Sequence, residues 1–135
     1  MNEDCFHLGV KGLIRNQEGR VLLLERKGYW DLPGGRLQKG ETVLEALYRE
    51  VDEEIGLKHI EGATQLCTHL TGIRIGDVGL ILSVYTFDTP FDFTPQLSEE
   101  HSGFGWFDID EACERLAARL PPELLNDLRK ELVGA

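Results

Sequence analysis

Apolar and small residues mix in strand-like fashion from Phe6 to Ile14, and an apolar run, Val21-Leu22-Leu23-Leu24, resumes after Asn16-Gln17-Glu18-Gly19. The intervening residues carry turn chemistry, so the pattern predicts a hairpin whose second strand is buried. Trp30-Asp31-Leu32-Pro33-Gly34-Gly35 forbids regular helix through its proline and paired glycines, and the backbone there must turn tightly or approach something closely. From Glu41 to Ile55 the period changes: Val43, Leu47 and Val51 recur every four residues with Leu44 and Ile55 alongside, and Gly56 follows as a stop signal. This predicts an amphipathic helix.

Residues 63 to 88 read as two strands joined near Gly76-Asp77, the second being Val78 to Phe87, and Thr89 to Gly103 reads as a long polar loop. Phe104 to Phe107 is a short strand. Asp108 or Asp110 then caps a helix running to about Leu120, and Pro121-Pro122 starts a final helix ending near Val133. Strands around one central helix, with further helices at the end, predict an α/β fold in which a mixed sheet packs between helices.

A chain of 135 residues fits one domain over 1–135, and 41% hydrophobic with 28% charged residues is ordinary for a folded protein. No apolar run is long enough to span a bilayer, and the acidic start Met1-Asn2-Glu3-Asp4 lacks the basic region of a signal peptide, so a cytoplasmic protein is expected. The cysteines Cys5, Cys67 and Cys113 are odd in number and widely spaced, which fits free thiols. A net charge of -10 without a Lys/Arg cluster argues against a nucleic-acid surface, and the lack of a long apolar run argues against a membrane partner. An acidic protein can still bind phosphates where divalent cations bridge the two sets of negative charge.

On the predicted helix, Glu50, Glu53 and Glu54 fall within about 100° of one another, so three carboxylates share one patch. Arg49 alone does not neutralise three like charges, and a hard divalent cation, Mg2+ or Mn2+, suits such oxygen donors. A bare acidic face in solvent is the alternative.

The wider spacing decides between them. Gly35, five residues, Glu41, seven residues, then Arg49-Glu50-Val51-Asp52-Glu53-Glu54-Ile55-Gly56-Leu57 resembles the Nudix box at every defined position. Seven fixed and two aliphatic positions match by chance less than about once per million chains. Val21 to Arg26 followed by Trp30 to Gly35, and Glu99 to Phe107, also look like that family's flanking segments.

The resemblance implies an α/β/α sandwich with a loop-helix-loop, and a divalent-metal-dependent hydrolase of phosphoanhydride bonds. It implies Glu50, Glu53 and Glu54 as metal ligands, with the Gly34 carbonyl as a further donor. Arg49 would hold Glu53 by a charge-assisted hydrogen bond, and Glu41 would assist Arg49 or bind an outer metal. Arg26, Gly35 and Glu41 are the expected substrate-binding residues. Glu50 is the first candidate for general base and the loop pair Glu99/Glu100 the second, whether as base or ligand. His101 is a further conceivable proton acceptor, and Trp30, Phe6 or Tyr85 could stack on a base.

The implied substrate is a small nucleotide, first a nucleoside or deoxynucleoside triphosphate cleaved to monophosphate and pyrophosphate. ADP-ribose, nucleotide sugars and dinucleoside polyphosphates follow. A nucleotide-sensing module that does not hydrolyse is the alternative of another class. Monomer and homodimer both remain open.

Overall fold

Turn chemistry at Asn16 brings β1 (Phe6–Arg15) and β2 (Val21–Arg26) together at Arg15 and Val21, after which each strand takes other partners. The computed structural model describes residues 3–133. β1 pairs in parallel with β6 (Val78–Asp88) along its whole length, and β6 pairs antiparallel with β5 (Thr64–Ile75), the hairpin predicted around Gly76-Asp77. The other side of β1 pairs with β4 (Gly34–Arg36), while β2 pairs with β3 (Tyr29–Asp31) and with β7 (Gly103–Phe107). The result is one mixed seven-stranded sheet.

Two short strands were not predicted: β3 and β4 overlap the two ends of the stretch read from sequence as a turn or close approach. β4 is a close approach of an extreme kind. Gly34 has φ of 143°, and a Cβ there would collide with the Val10 carbonyl oxygen, so glycine is required for β4 to reach its pairing distance from β1.

Helix α1 (Val43–Ile55) is fixed at both ends. Thr42 caps it, accepting from the Glu45 N–H while the Glu45 side chain accepts from the Thr42 N–H, and Gly56 ends it in the left-handed region at φ 73°. Helix α2 (Ile109–Leu116) is capped by Asp108 and stops earlier than the predicted Leu120; residues 117–120 form a turn that still buries Leu120. Helix α3 (Pro122–Val133) begins at the second proline, which at the first helical position has no N–H to leave unpaired.

The sheet separates two cores. Leu22 and Leu24 face Ala46, Leu47, Val51 and Ile55 of α1, whereas Val21 and Leu23 face Ala112, Cys113, Leu116, Leu124 and Leu128 of α2 and α3. The two-residue period of β2 sends alternate side chains to opposite layers, which explains the unbroken apolar run and makes the fold the predicted α/β/α sandwich. Burying each of these large side chains contributes roughly 1.5–3 kcal/mol.

Candidate active site

The acidic face of α1 opens where the helix leaves β4 and meets residues 98–100. A cleft of about 420 Å3 is lined by Gln38, Arg49, Glu50, Glu53, Glu54, Ser98, Glu99 and Glu100. The three box glutamates and both loop glutamates therefore share one cavity. That joins the helix to a segment some fifty residues further along the chain.

Arg49 organises the acidic group. Its Nε donates to Glu41 Oε2 at 2.6 Å and one terminal nitrogen donates to Glu41 Oε1 at 3.0 Å. The other terminal nitrogen donates to Glu50 Oε1 at 2.9 Å and to Glu53 Oε2 at 3.3 Å. The Arg49 link expected for Glu53 is present, but Glu41 is the stronger partner. Its hydrogen bond is the main cause that raises the guanidinium pKa, and the same bond holds the Glu41 carboxyl below its ordinary value. Glu41 also accepts from the Gln38 N–H at 2.7 Å, so both of its oxygens are engaged.

Glu54 is in a different environment from its neighbours. The residue is only 8% exposed, Oε1 accepts from the Gly34 N–H at 2.7 Å, and Oε2 lies 3.4 Å from His101 Nε2. Burial pushes its carboxyl up to about 8, against the opposing pull of Lys11 and the Gly34 N–H. Glu53 by contrast is 60% exposed at its side chain.

The His101 side chain is only 6% exposed, and this burial followed by the charge of Arg26 lowers its pKa, so the ring is neutral near pH 7. Lys11 forms a 3.1 Å ion pair with Asp31 nearby. Neither Lys11 nor Asp31 was selected from sequence, although a lysine in the middle of the apolar run of β1 is the signal that could have found them.

Gly34 and Gly35 are placed against the glutamates. Gly34 meets Glu54 through its N–H, and a Cβ on Gly35 would stand 2.5 to 2.8 Å from the carboxylate of Glu50. Arg26 lies on the His101 side. Arg26, Gly35 and Glu41 do not themselves line the cleft.

Of the aromatics, Trp30 packs edge-on to Phe107 at 5.3 Å within the α2/α3 core, and Tyr85 packs on the α1 core. Phe6 is 43% exposed and lies against Gly79.

The loop carrying Glu99 and Glu100 is tied to the end of α1. The Gln96 N–H donates to the Ile55 carbonyl at 2.9 Å and the Ser98 N–H to the Glu54 carbonyl at 3.1 Å. Both bonds use carbonyls that a helix terminus leaves without an intrahelical partner.

The donor chemistry of the cleft fits a hard divalent cation: carboxylate oxygens at several positions, one of them buried and raised in pKa by that burial. The side chains are divided, however. Glu50 and Glu53 share Arg49 while Glu54 turns to Gly34 and His101, and they do not bring one oxygen each within 4.8 Å of one another. Rotations of Glu50 and Glu53 about their side-chain bonds would be needed to converge them.

Comparison with known proteins identifies the family. A family model described as NUDIX domain matches residues 6–128. A protein of Streptomyces ambofaciens named MutT-like protein is 31% identical over 123 residues, covering 90% of this chain and 76% of the relative. A Myxococcus xanthus protein named octanoyltransferase is 36% identical over 117 residues, covering 79% of this chain but only 31% of that protein's length. The crystal structure of a MutT NUDIX hydrolase from Burkholderia pseudomallei superposes with a TM-score of 0.72 at 31% identity, covering 91% of this chain and 95% of that one.

Proposed function

The chain belongs to the NUDIX family, and we propose that it hydrolyses a pyrophosphate bond of a free nucleoside or deoxynucleoside triphosphate, releasing monophosphate and pyrophosphate with the help of Mg2+ or Mn2+. The observation that carries this reading is the cleft itself, where Glu50, Glu53, Glu54, Glu99 and Glu100 surround a space bordered by the single cation Arg49. A polyphosphate would be repelled from so acidic a cavity unless divalent ions bridged it to the carboxylates. The net charge of -10 disfavours long polyanions and supports a small nucleotide over RNA.

An ion held by Glu50, Glu53 and Glu54, with the Gly34 carbonyl as a further donor, would neutralise phosphate charge and acidify a bound water. The remaining work falls to the protein's own groups. Arg49, anchored on Glu41, holds Glu50 through Oε1 in the metal-free arrangement, and Glu50 turned toward the ion would take a proton from the attacking water. Gly35 gives Glu50 the room to lie against the backbone of β4. Glu99 and Glu100 face the same space and are the alternative base or ligand. Arg26 is assigned to the substrate phosphates, approached from the side of His101.

The test is a screen of nucleotides with Mg2+, reading phosphate released by a coupled phosphatase, on the wild-type chain and on Glu53→Gln. Triphosphate turnover that falls about 100-fold or more in Glu53→Gln, with unchanged melting temperature, is expected. Turnover restricted to ADP-ribose, nucleotide sugars or dinucleoside polyphosphates would replace the substrate. Tight nucleotide binding without any turnover would make the chain a sensor instead.

A further inference from the structure

Away from the cleft, three side chains offer a sulfur, a nitrogen and an oxygen donor within 4.8 Å of one another: Cys67 and His69 of β5, and Asp127 of α3. The first two are separated by one residue on a strand and so point to the same face, the face on which α3 packs. His69 Nε2 donates to Asp127 Oδ2 at 2.6 Å, and the two side chains are 25% and 34% exposed. The group is thus half-buried, reachable from solvent, and held by two separate elements.

We propose that Cys67, His69 and Asp127 form a second metal site, selective for a borderline transition metal of the zinc class, with a water as fourth ligand. Donor softness separates the two sites. A thiolate with an imidazole favours zinc-like ions, whereas the all-carboxylate cleft favours magnesium or manganese. A tetrahedral ion would space its ligand atoms about 3.3 to 3.8 Å apart, a small closure from the present spread together with a slight opening of the His69–Asp127 contact. On binding, the Cys67 S–H bond is replaced by a metal–sulfur bond with its proton passing to solvent, and the His69 proton at Nε2 is exchanged for one at Nδ1, so that Nε2 of the neutral ring can bind the ion.

Burial and the neighbouring Asp127 push the Cys67 thiol up to about 11, which disfavours a free nucleophilic thiolate, and the thiol would deprotonate only against the charge of a bound cation. Bound metal would instead clamp α3 onto β5, the edge strand of the sheet. The proposal does not depend on the reading of the cleft.

The experiment uses Co2+ as the spectroscopic probe and Zn2+ as the stabilising ion, on the full chain carrying Cys5→Ser to remove the exposed thiol. One equivalent of Co2+ should produce a thiolate-to-metal charge-transfer band, and Zn2+ should raise the melting temperature. Cys67→Ser should abolish both effects, and Asp127→Asn, which keeps the thiol, should weaken cobalt affinity at least about tenfold. Glu53→Gln should leave the band intact, separating this site from the cleft. Absence of the band in the Cys5→Ser protein, or its survival in Cys67→Ser, would overturn the proposal.

Discussion

Arg49 grips Glu41 with two nitrogens, at 2.6 and 3.0 Å, across the eight positions that separate them in sequence. A lysine at 49 would keep the charge but lose the planar fork, leaving Glu41, Glu50 and Glu53 without a common anchor. Arg49→Lys is therefore expected to lower kcat about 10- to 100-fold while the melting temperature changes by only a few degrees. Steady-state kinetics beside a thermal melt check this, and unaltered kcat would remove Arg49 as a positioning residue.

Glycines 34 and 35 should fail in different ways. Gly34→Ala combines a disallowed φ of 143° with a collision against the Val10 carbonyl, and should cost more than about 2 kcal/mol in denaturant unfolding. Gly35→Ala presses on the Glu50 carboxylate instead, a movable side chain, so most of its effect should be on turnover. Equal losses of stability in the two variants would contradict this division.

The general base can be assigned by ranking three variants. With Glu50 as base, Glu50→Gln reduces turnover by several orders of magnitude at every pH, whereas Glu99→Gln and Glu100→Gln each lose about tenfold through positioning. Metal affinity must be measured on the same proteins, since Glu50 is also a candidate ligand. Normal turnover in Glu50→Gln, with an inactive but metal-binding loop variant, would transfer the role to the loop.

Glu54 carries a pH signature in the metal-free protein. Its carboxyl titrates near 8 when folded, against an ordinary value of 4.5, so between those limits the folded state binds more protons than the unfolded one. Its contribution to stability is complete below about pH 4.5 and is lost as pH rises through about 8, by at most about 1.4 kcal/mol per pH unit. Comparing urea unfolding of wild type and Glu54→Gln across this window isolates that contribution, because the glutamine does not titrate. Parallel pH profiles for the two proteins would show that Glu54 titrates in its ordinary range.

Features written locally were legible in the chain. The cap at Thr42 and the stop at Gly56 bound a helix whose apolar spacing is unmistakable, and the same thirteen residues carry Glu50, Glu53 and Glu54. What escaped was set by distant partners. β4 is three residues long and is a strand only because β1 lies beside it. Lys11 and Asp31 come near Glu54 through strand pairing, with only the lysine inside the apolar run of β1 to mark them, and His101, named from sequence as a proton acceptor, meets Glu54 only through the return of a loop. The Cys67–Asp127 proximity likewise depends on α3 crossing β5, which no spacing rule encodes.

Gln96 and Ser98 end-cap α1 through their backbone, so the acidic loop and the last helical turn form a single mechanical piece. A loop that swung clear to release product would strip two helix carbonyls of their partners and loosen the turn that carries Glu53 and Glu54. The latch on such a gate would be the helix's own terminus, and the pace of any opening would be tied to fraying of the element that holds the carboxylates.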